Sequence, residues 1–128
     1  MAMKIKGLDH IVLTTESPEK CADFYGRVLG LELHDEGGRL SFHFSGQKIN
    51  IHRRPAEFLP AAGYPLAGSL DLCFEAEGDI SDALSMLRAK GISPELGPVT
   101  RHGARGEMQS LYLRDPDGNL VELGFYNG

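Results

Sequence analysis

Four residues with ligand chemistry, His10, His52, Asp71 and Glu122, each fall in a short stretch that alternates with apolar residues. Ile11 and Leu13 alternate with His10, Val12 and Thr14, and Ile49 and Ile51 with Lys48, Asn50 and His52. Leu70, Leu72 and Phe74 alternate with Asp71, Cys73 and Glu75, and Val121 and Leu123 with Glu122. A strand turns successive side chains to opposite faces, so each stretch has an apolar face and a face bearing one of the four. Two imidazoles and a carboxylate hold Zn²⁺, Ni²⁺, Mn²⁺ or Fe²⁺ and leave coordination positions open. Such a metal chelates two vicinal oxygens of a substrate and, as a Lewis acid, stabilises an enediolate. Asp71 would complete the shell, orient a ligand or act as a base. The plain alternatives are hydrogen-bonded interior histidines, an aspartate paired with arginine, and a glutamate facing water. A solvated face would carry Lys, Thr, Ser or Gln in larger numbers.

The elements that must position these residues follow from turn and helix signals. Asp115-Pro116-Asp117-Gly118-Asn119 is a concentrated turn ahead of the strand holding Glu122, with Val121, Leu123 and Phe125 on the opposite face. A strand over 8–15 leads to a helix with Ser17 as N-cap and Pro18 first, its apolar face Cys21, Phe24, Tyr25, Val28 and Leu29, and Gly30 as its stop. Strands near 31–35, 39–45 and 47–53 complete a β-α-β-β-β unit. A connector near 54–68 follows, and the order then repeats. A strand near 69–75 is followed by a helix marked by Ile80, Ala83, Leu84 and Leu87 that ends at Gly91. Strands near 92–99, 107–114 and 119–126 close the second unit. His10 lies as far before Gly30 as Asp71 before Gly91, which marks a duplication. The expectation is a single α+β domain over 1–128, with repeats about 4–53 and 69–126 whose sheets curve around a pocket.

Composition narrows the function. At 128 residues, with 41% hydrophobic and 24% charged residues, the chain is expected to bury its own core. A net charge of −5 argues against nucleic acid or an anionic membrane as partner. No apolar run reaches the length of a membrane span. The two cysteines, Cys21 and Cys73, are too few for a disulfide framework, so the expected location is the cytoplasm.

Further candidates lie around the four. Arg101-His102-Gly103-Ala104-Arg105-Gly106 reads as a basic, glycine-punctuated loop, solvated or closing over the pocket, where Arg101 or Arg105 binds a substrate carboxylate. His43 alternates with Phe42 and Phe44 and is a candidate for substrate contact, with His34 behind it. Cys73 reads as a small filler rather than a nucleophile. Phe58 and Tyr64 in the connector would wall the pocket or meet a partner subunit, and Met108 reads as core or interface.

The paired β-α-β-β-β pattern, Leu-Asp-His-Ile-Val-Leu at 8–13 and Asp-Pro-Asp-Gly-Asn-Leu-Val-Glu-Leu at 115–123 resemble the vicinal oxygen chelate superfamily of glyoxalase I, extradiol dioxygenases, fosfomycin-modifying enzymes and bleomycin-binding proteins. Gln47 to His52, Gly68 to Leu72 and Gly97-Pro98-Val99 resemble its glyoxalase-domain-containing, virulence-associated subfamily more narrowly. The resemblance implies that His10, His52 and Glu122 are metal ligands and that Asp71 stands where members usually carry histidine. It implies a divalent metal cofactor (Zn, Ni, Mn or Fe), a small-molecule substrate and a homodimer with two equivalent sites, its half-sheets exchanged between the chains or not. Three functions are compatible: a glyoxalase-type lyase or isomerase with Glu122 or Asp71 moving the proton, an extradiol dioxygenase, and a non-catalytic drug- or metabolite-binding protein. Members of the last kind lose the metal ligands, which this chain keeps.

Overall fold

The computed structural model describes residues 2–126. In chain order the elements are β1 (His10–Thr14), α1 (Pro18–Ala22) running on into a π-helical stretch (Asp23–Val28), β2 (Glu32–Glu36), β3 (Arg39–Phe44) and β4 (Gln47–His52). Then come β5 (Asp71–Glu75), α2 (Ile80–Ala89), β6 (Leu96–Gly103), β7 (Gly106–Arg114) and β8 (Leu120–Tyr126). The chain divides into two compact units, Met1–Ala67 and Gly68–Gly128. Each holds a four-stranded sheet, ordered β1-β4-β3-β2 in the first and β5-β8-β7-β6 in the second. The expected β-α-β-β-β order is therefore present twice, in an α+β fold.

In the first unit Pro18 opens the helix, as its fixed φ and missing N–H allow. Ser17 holds the cap position without a side-chain capping bond; its own N–H donates to Thr15 Oγ1 at 3.1 Å. Cys21, Phe24, Tyr25 and Val28 are the buried face of this helix. Leu29 N–H reaches Phe24 O at 3.0 Å, the five-residue step of a π turn, and Gly30 leaves the helix at φ +78°. The Tyr25 ring lies 5.5 Å from that of Phe42, so the helix seats on β3. Leu13, Phe42, Ile49 and Ile51 supply the sheet's share of this core. Emptying one such position, Phe42→Ala for example, costs about 3–5 kcal/mol.

In the second unit Asp79 caps α2, its side chain accepting the Ser81 N–H at 2.7 Å. Leu87, Leu111, Leu113, Val121, Leu123 and Phe125 are buried. One expectation fails here. Residues 101–106 are not a loop: Arg101 and His102 lie within β6, paired with Met108 and Glu107, and only Ala104 and Arg105 form the turn. β6 starts at Leu96, four residues beyond the expected start, and carries a register shift between Leu96 and Val99. Backbone pairing does not read side-chain charge, so a basic run at an exposed strand end stays in the ladder.

Candidate functional site

The turn before β8 is built around two buried polar side chains, Asp115 and Asn119. Asp115 Oδ1 accepts the N–H groups of Asp117 and Asn119, each at 2.9 Å, and Oδ2 accepts Asn119 Nδ2–H at 2.7 Å. Asn119 Oδ1 in turn accepts the Leu70 N–H at 2.9 Å, reaching from the start of β8 to the start of β5. At Gly68, φ is +79° and an added Cβ would stand 2.5 Å from Asp117 O, so the chain can pass this turn only as glycine. These bonds fix β5 against β8, in parallel register Asp71↔Leu120 and Cys73↔Glu122. Asp71 and Glu122 thus share a face on adjacent strands, offset by two residues, or about 8 Å between Cα atoms.

Glu122 lies opposite to the buried Val121 and Leu123 and is half-buried. The fully buried Ser110 hydroxyl donates to its Oε2 at 2.7 Å, which fixes one carboxylate oxygen. Tyr112 stands directly across from Glu122, and its hydroxyl accepts Arg101 Nε–H at 3.0 Å. Cys73 is the other neighbour. Burial, and then the charges of Glu122 and Asp71, push its thiol up to about 11, so at neutral pH it is a protonated thiol and not a nucleophile.

The first unit repeats this register. His10 pairs with Lys48 as Asp71 pairs with Leu120, so Lys48 matches Leu120, Asn50 matches Glu122 and His52 matches Gly124. His10 is exposed, and its Nδ1 lies 2.8 Å from Asp9 Oδ1. In that arrangement the imidazole donates Nδ1–H to a carboxylate and keeps the Nε2 lone pair outward, as metal-bound histidines do. The bond from His10, its charge when the ring is protonated, and the Lys48 charge hold the Asp9 carboxyl below the usual range.

The structure does not bring His10 and His52 together. His52 pairs with Thr14, four residues along β1 from His10, which is about 13 Å. It is 7% exposed, edge-on to Phe58 at 5.3 Å between centroids, and the Arg39 guanidinium lies 4.0 Å over the same phenyl ring. Its buried Nδ1 has no hydrogen-bond partner among the described residues. The interior position weighed for His52 is what is found, without the hydrogen bond. Its counterpart Gly124 is covered likewise: a Cβ there would meet Met108 Cε. One end of each polar face is therefore sealed, by Phe58 in the first unit and Met108 in the second.

The remaining candidates divide. Arg101 is exposed and bonds to Tyr112 and the Thr100 carbonyl; among the described residues no carboxylate lies within 4.0 Å of its guanidinium. Arg105 is committed: Nη2 donates to Glu75 Oε2 at 2.7 Å and the guanidinium lies 4.5 Å from the Tyr126 ring centre. His43 shares the His10 row, stacked on His34 at 3.8 Å with Ser41 Oγ 3.1 Å from its Nε2. Phe58 walls the first unit's face, while Tyr64 is 87% exposed. Sequence reasoning passed over Asp9, Asn50, Ser110 and Tyr112. Lys48 and Asn50 stood on the same alternating face as the chosen histidines, and counting along that face from a shared strand start would have found Asn50.

The donor types suit a first-row divalent ion: an imidazole oriented by a carboxylate in one unit, and two carboxylates in the other, one pinned by a buried hydroxyl. Among the described residues no three His, Cys, Asp or Glu side chains gather within either unit to hold a metal ion. Each unit offers two register positions, His10 and Asn50 or Asp71 and Glu122. No helix among the described residues is long and apolar enough to cross a membrane.

The doubled β-α-β-β-β chain is that of a known group. It belongs to the Glyoxalase/Bleomycin resistance protein/Dioxygenase superfamily, whose family model matches residues 7–123. It is 45% identical over 125 residues to "Glyoxalase domain-containing protein RDO1" of Mycosarcoma maydis, covering 97% of this chain and 70% of the relative. The crystal structure of "Virulence protein STM3117" from Salmonella typhimurium matches with a TM-score of 0.93 at 44% identity, covering 98% of this chain and 100% of that one. "Biphenyl-2,3-diol 1,2-dioxygenase 3" of Rhodococcus globerulus is 36% identical over 128 residues, covering 94% of this chain and 63% of the relative.

Proposed function

We propose that the chain is a metal-dependent enzyme of the glyoxalase type, acting on a small α-oxygenated substrate such as a hemithioacetal. The observation that supports it is the matched register, which gives His10 in one unit and Asp71 with Glu122 in the other equivalent places on duplicated sheets. Bound there, a divalent metal would polarise two vicinal oxygens of the substrate as a Lewis acid. The chain supplies the rest. Ser110 holds Glu122 Oε2 and leaves Oε1 to bind or to take the proton, with Asp71 as the second carboxylate on that face. The Asp9 carboxylate keeps His10 oriented. Arg101, bonded to the Tyr112 hydroxyl across from Glu122, is the cation on that side for a substrate carboxylate, and His43 lines the corresponding approach in the first unit.

The test is metal analysis of protein purified without chelator, followed by turnover of the methylglyoxal–glutathione adduct with added Ni²⁺, Zn²⁺ or Mn²⁺. Bound metal and metal-dependent turnover are expected; no metal and no gain on addition would sink the proposal. The 36% identity to a protein named as a biphenyl-diol dioxygenase favours a second reading, ring cleavage of a catechol with Fe²⁺. Oxygen uptake across a catechol panel by anaerobically Fe²⁺-loaded protein separates the two.

A further inference from the structure

Ser41 and His43 lie two residues apart on β3, half-buried on the same face, with Ser41 Oγ 3.1 Å from His43 Nε2. In the tautomer with the ring proton on Nδ1, the hydroxyl donates and Nε2 accepts. That is the arrangement that activates a serine as a nucleophile. The imidazole is held from its other side. His34 stacks on it at 3.8 Å between ring centres and 19° between planes, and Glu32 Oε1 lies 2.7 Å from His34 Nε2. The Glu32 pair is exposed and therefore weak, so the stacked rings do most of the orienting. Asn50 stands directly across from Ser41 on β4, which puts their Cβ atoms about 4.5–5.5 Å apart. Its carboxamide is half-buried and has no hydrogen-bond partner among the described residues. Its Nδ2–H is thus a free donor within reach of a carbonyl oxygen whose carbon sits at Ser41 Oγ. Next in that row, Val12 pairs with Asn50 and is 41% exposed, an apolar surface for a short acyl chain.

A plain Ser–His hydrogen bond stabilises by about 0.5–1.5 kcal/mol and needs neither a free amide nor an exposed valine beside it. A nucleophile, a base and an oxyanion donor on adjoining strands meet the geometric requirements of acyl transfer. We propose that Ser41, His43 and Asn50 form a metal-independent site that hydrolyses small carboxylic esters. Ser41 Oγ attacks the ester carbonyl carbon while its proton passes to His43 Nε2, and Asn50 Nδ2–H donates to the oxyanion. The bond from carbon to the alcohol oxygen then breaks, and His43 returns the proton to the departing oxygen. Water attacks the acyl-serine through the same base, which releases the carboxylic acid and restores the Ser41 hydroxyl. The imidazolium formed in each step lies in register between Lys48 and Glu32, so it meets one charge of each sign. The reaction needs no metal, and it goes beyond the glyoxalase-type reading without depending on it.

The experiment uses the full chain in excess EDTA, so its result does not depend on whether the metal assignment holds. The protein is treated with p-nitrophenyl acetate and, separately, with a fluorophosphonate, which forms a stable adduct with an activated serine and releases fluoride. Peptide mass spectrometry is expected to map the adduct to Ser41, and nitrophenolate is expected to appear faster than in buffer alone. Ser41→Ala should abolish both. His43→Gln removes the base and should slow labelling by at least about 100-fold. Asn50→Ala should slow nitrophenolate release by about 100-fold. Circular dichroism reports whether each variant is folded. No adduct, an adduct confined to other residues, or labelling of Ser41 that His43→Gln does not slow would overturn the site. Ester cleavage unchanged in Ser41→Ala or in Asn50→Ala would overturn it as well.

Discussion

His10 and His52 are the same residue on the same face of one sheet, and their surroundings separate them. His10 is exposed and oriented by Asp9, while His52 is sealed under Phe58 with a buried nitrogen. His10→Ala should therefore lower divalent-metal affinity by at least about 100-fold with little change in stability, since losing even a side chain that orients a metal ligand costs about 10–100-fold. His52→Ala should leave affinity within about 3-fold and destabilise the fold by about 2–3 kcal/mol, because it opens a cavity beneath Phe58. Isothermal titration with Ni²⁺ and urea unfolding read the two effects; equal metal loss in both variants would contradict the register argument. Which face each residue takes was legible from alternation alone. How far along the strand it sits was not, because alternation has a period of two and carries no mark of position. That coordinate comes from pairing: Thr14, not His10, stands beside His52.

The Asp115–Asn119 turn shows how an element can be legible in kind and not in purpose. Its Pro, Gly, Asp and Asn announce a turn. Nothing in those letters says that Asn119 reaches Leu70 and so aligns Asp71 with Glu122. Asn119→Ala strands the Leu70 N–H and part of the Asp115 carboxylate in a buried place, at a cost of about 2–4 kcal/mol. Urea unfolding checks the cost, and metal affinity should fall with it in protein that is still folded, because the register of β5 is loosened. β6 is the converse case: its basic end looked like a loop, yet pairing with Met108 and Glu107 makes it strand. The connector adds a pH-dependent tie. Arg53 donates to Glu57 through Nε and its backbone N–H, and these bonds, the side-chain one first, hold the Glu57 carboxyl down to about 2. A folded value below the ordinary 4.5 means the contribution is complete above about pH 4.5 and is lost as pH falls toward 2. Thermal midpoints by circular dichroism at pH 6 and pH 3 should drop less in Glu57→Gln than in the wild type. Equal drops would show that the connector is held otherwise.

At the scale of the molecule, duplication assigns His10 to one unit and Asp71 with Glu122 to the other. We propose that two chains pair as a homodimer in which each metal would take His10 from one copy and Glu122 from the other. A mixing experiment distinguishes this from a site assembled within one chain. Chains carrying His10→Ala and chains carrying Glu122→Ala are each expected to be inactive. When they are unfolded together at equal amounts and refolded, about half of the dimers pair unlike chains. With ligands shared between chains, each mixed dimer has one site bearing both substitutions and one bearing neither. About a quarter of all sites then regain metal binding and turnover. With ligands from a single chain, every site in the mixture keeps one lesion and nothing is regained. Sedimentation of the wild-type chain as a dimer is the condition for the experiment, and a sedimenting monomer would end the shared-site proposal before mixing begins. Because recovery is set by pairing statistics, the expected quarter does not depend on the identity of the metal or the substrate.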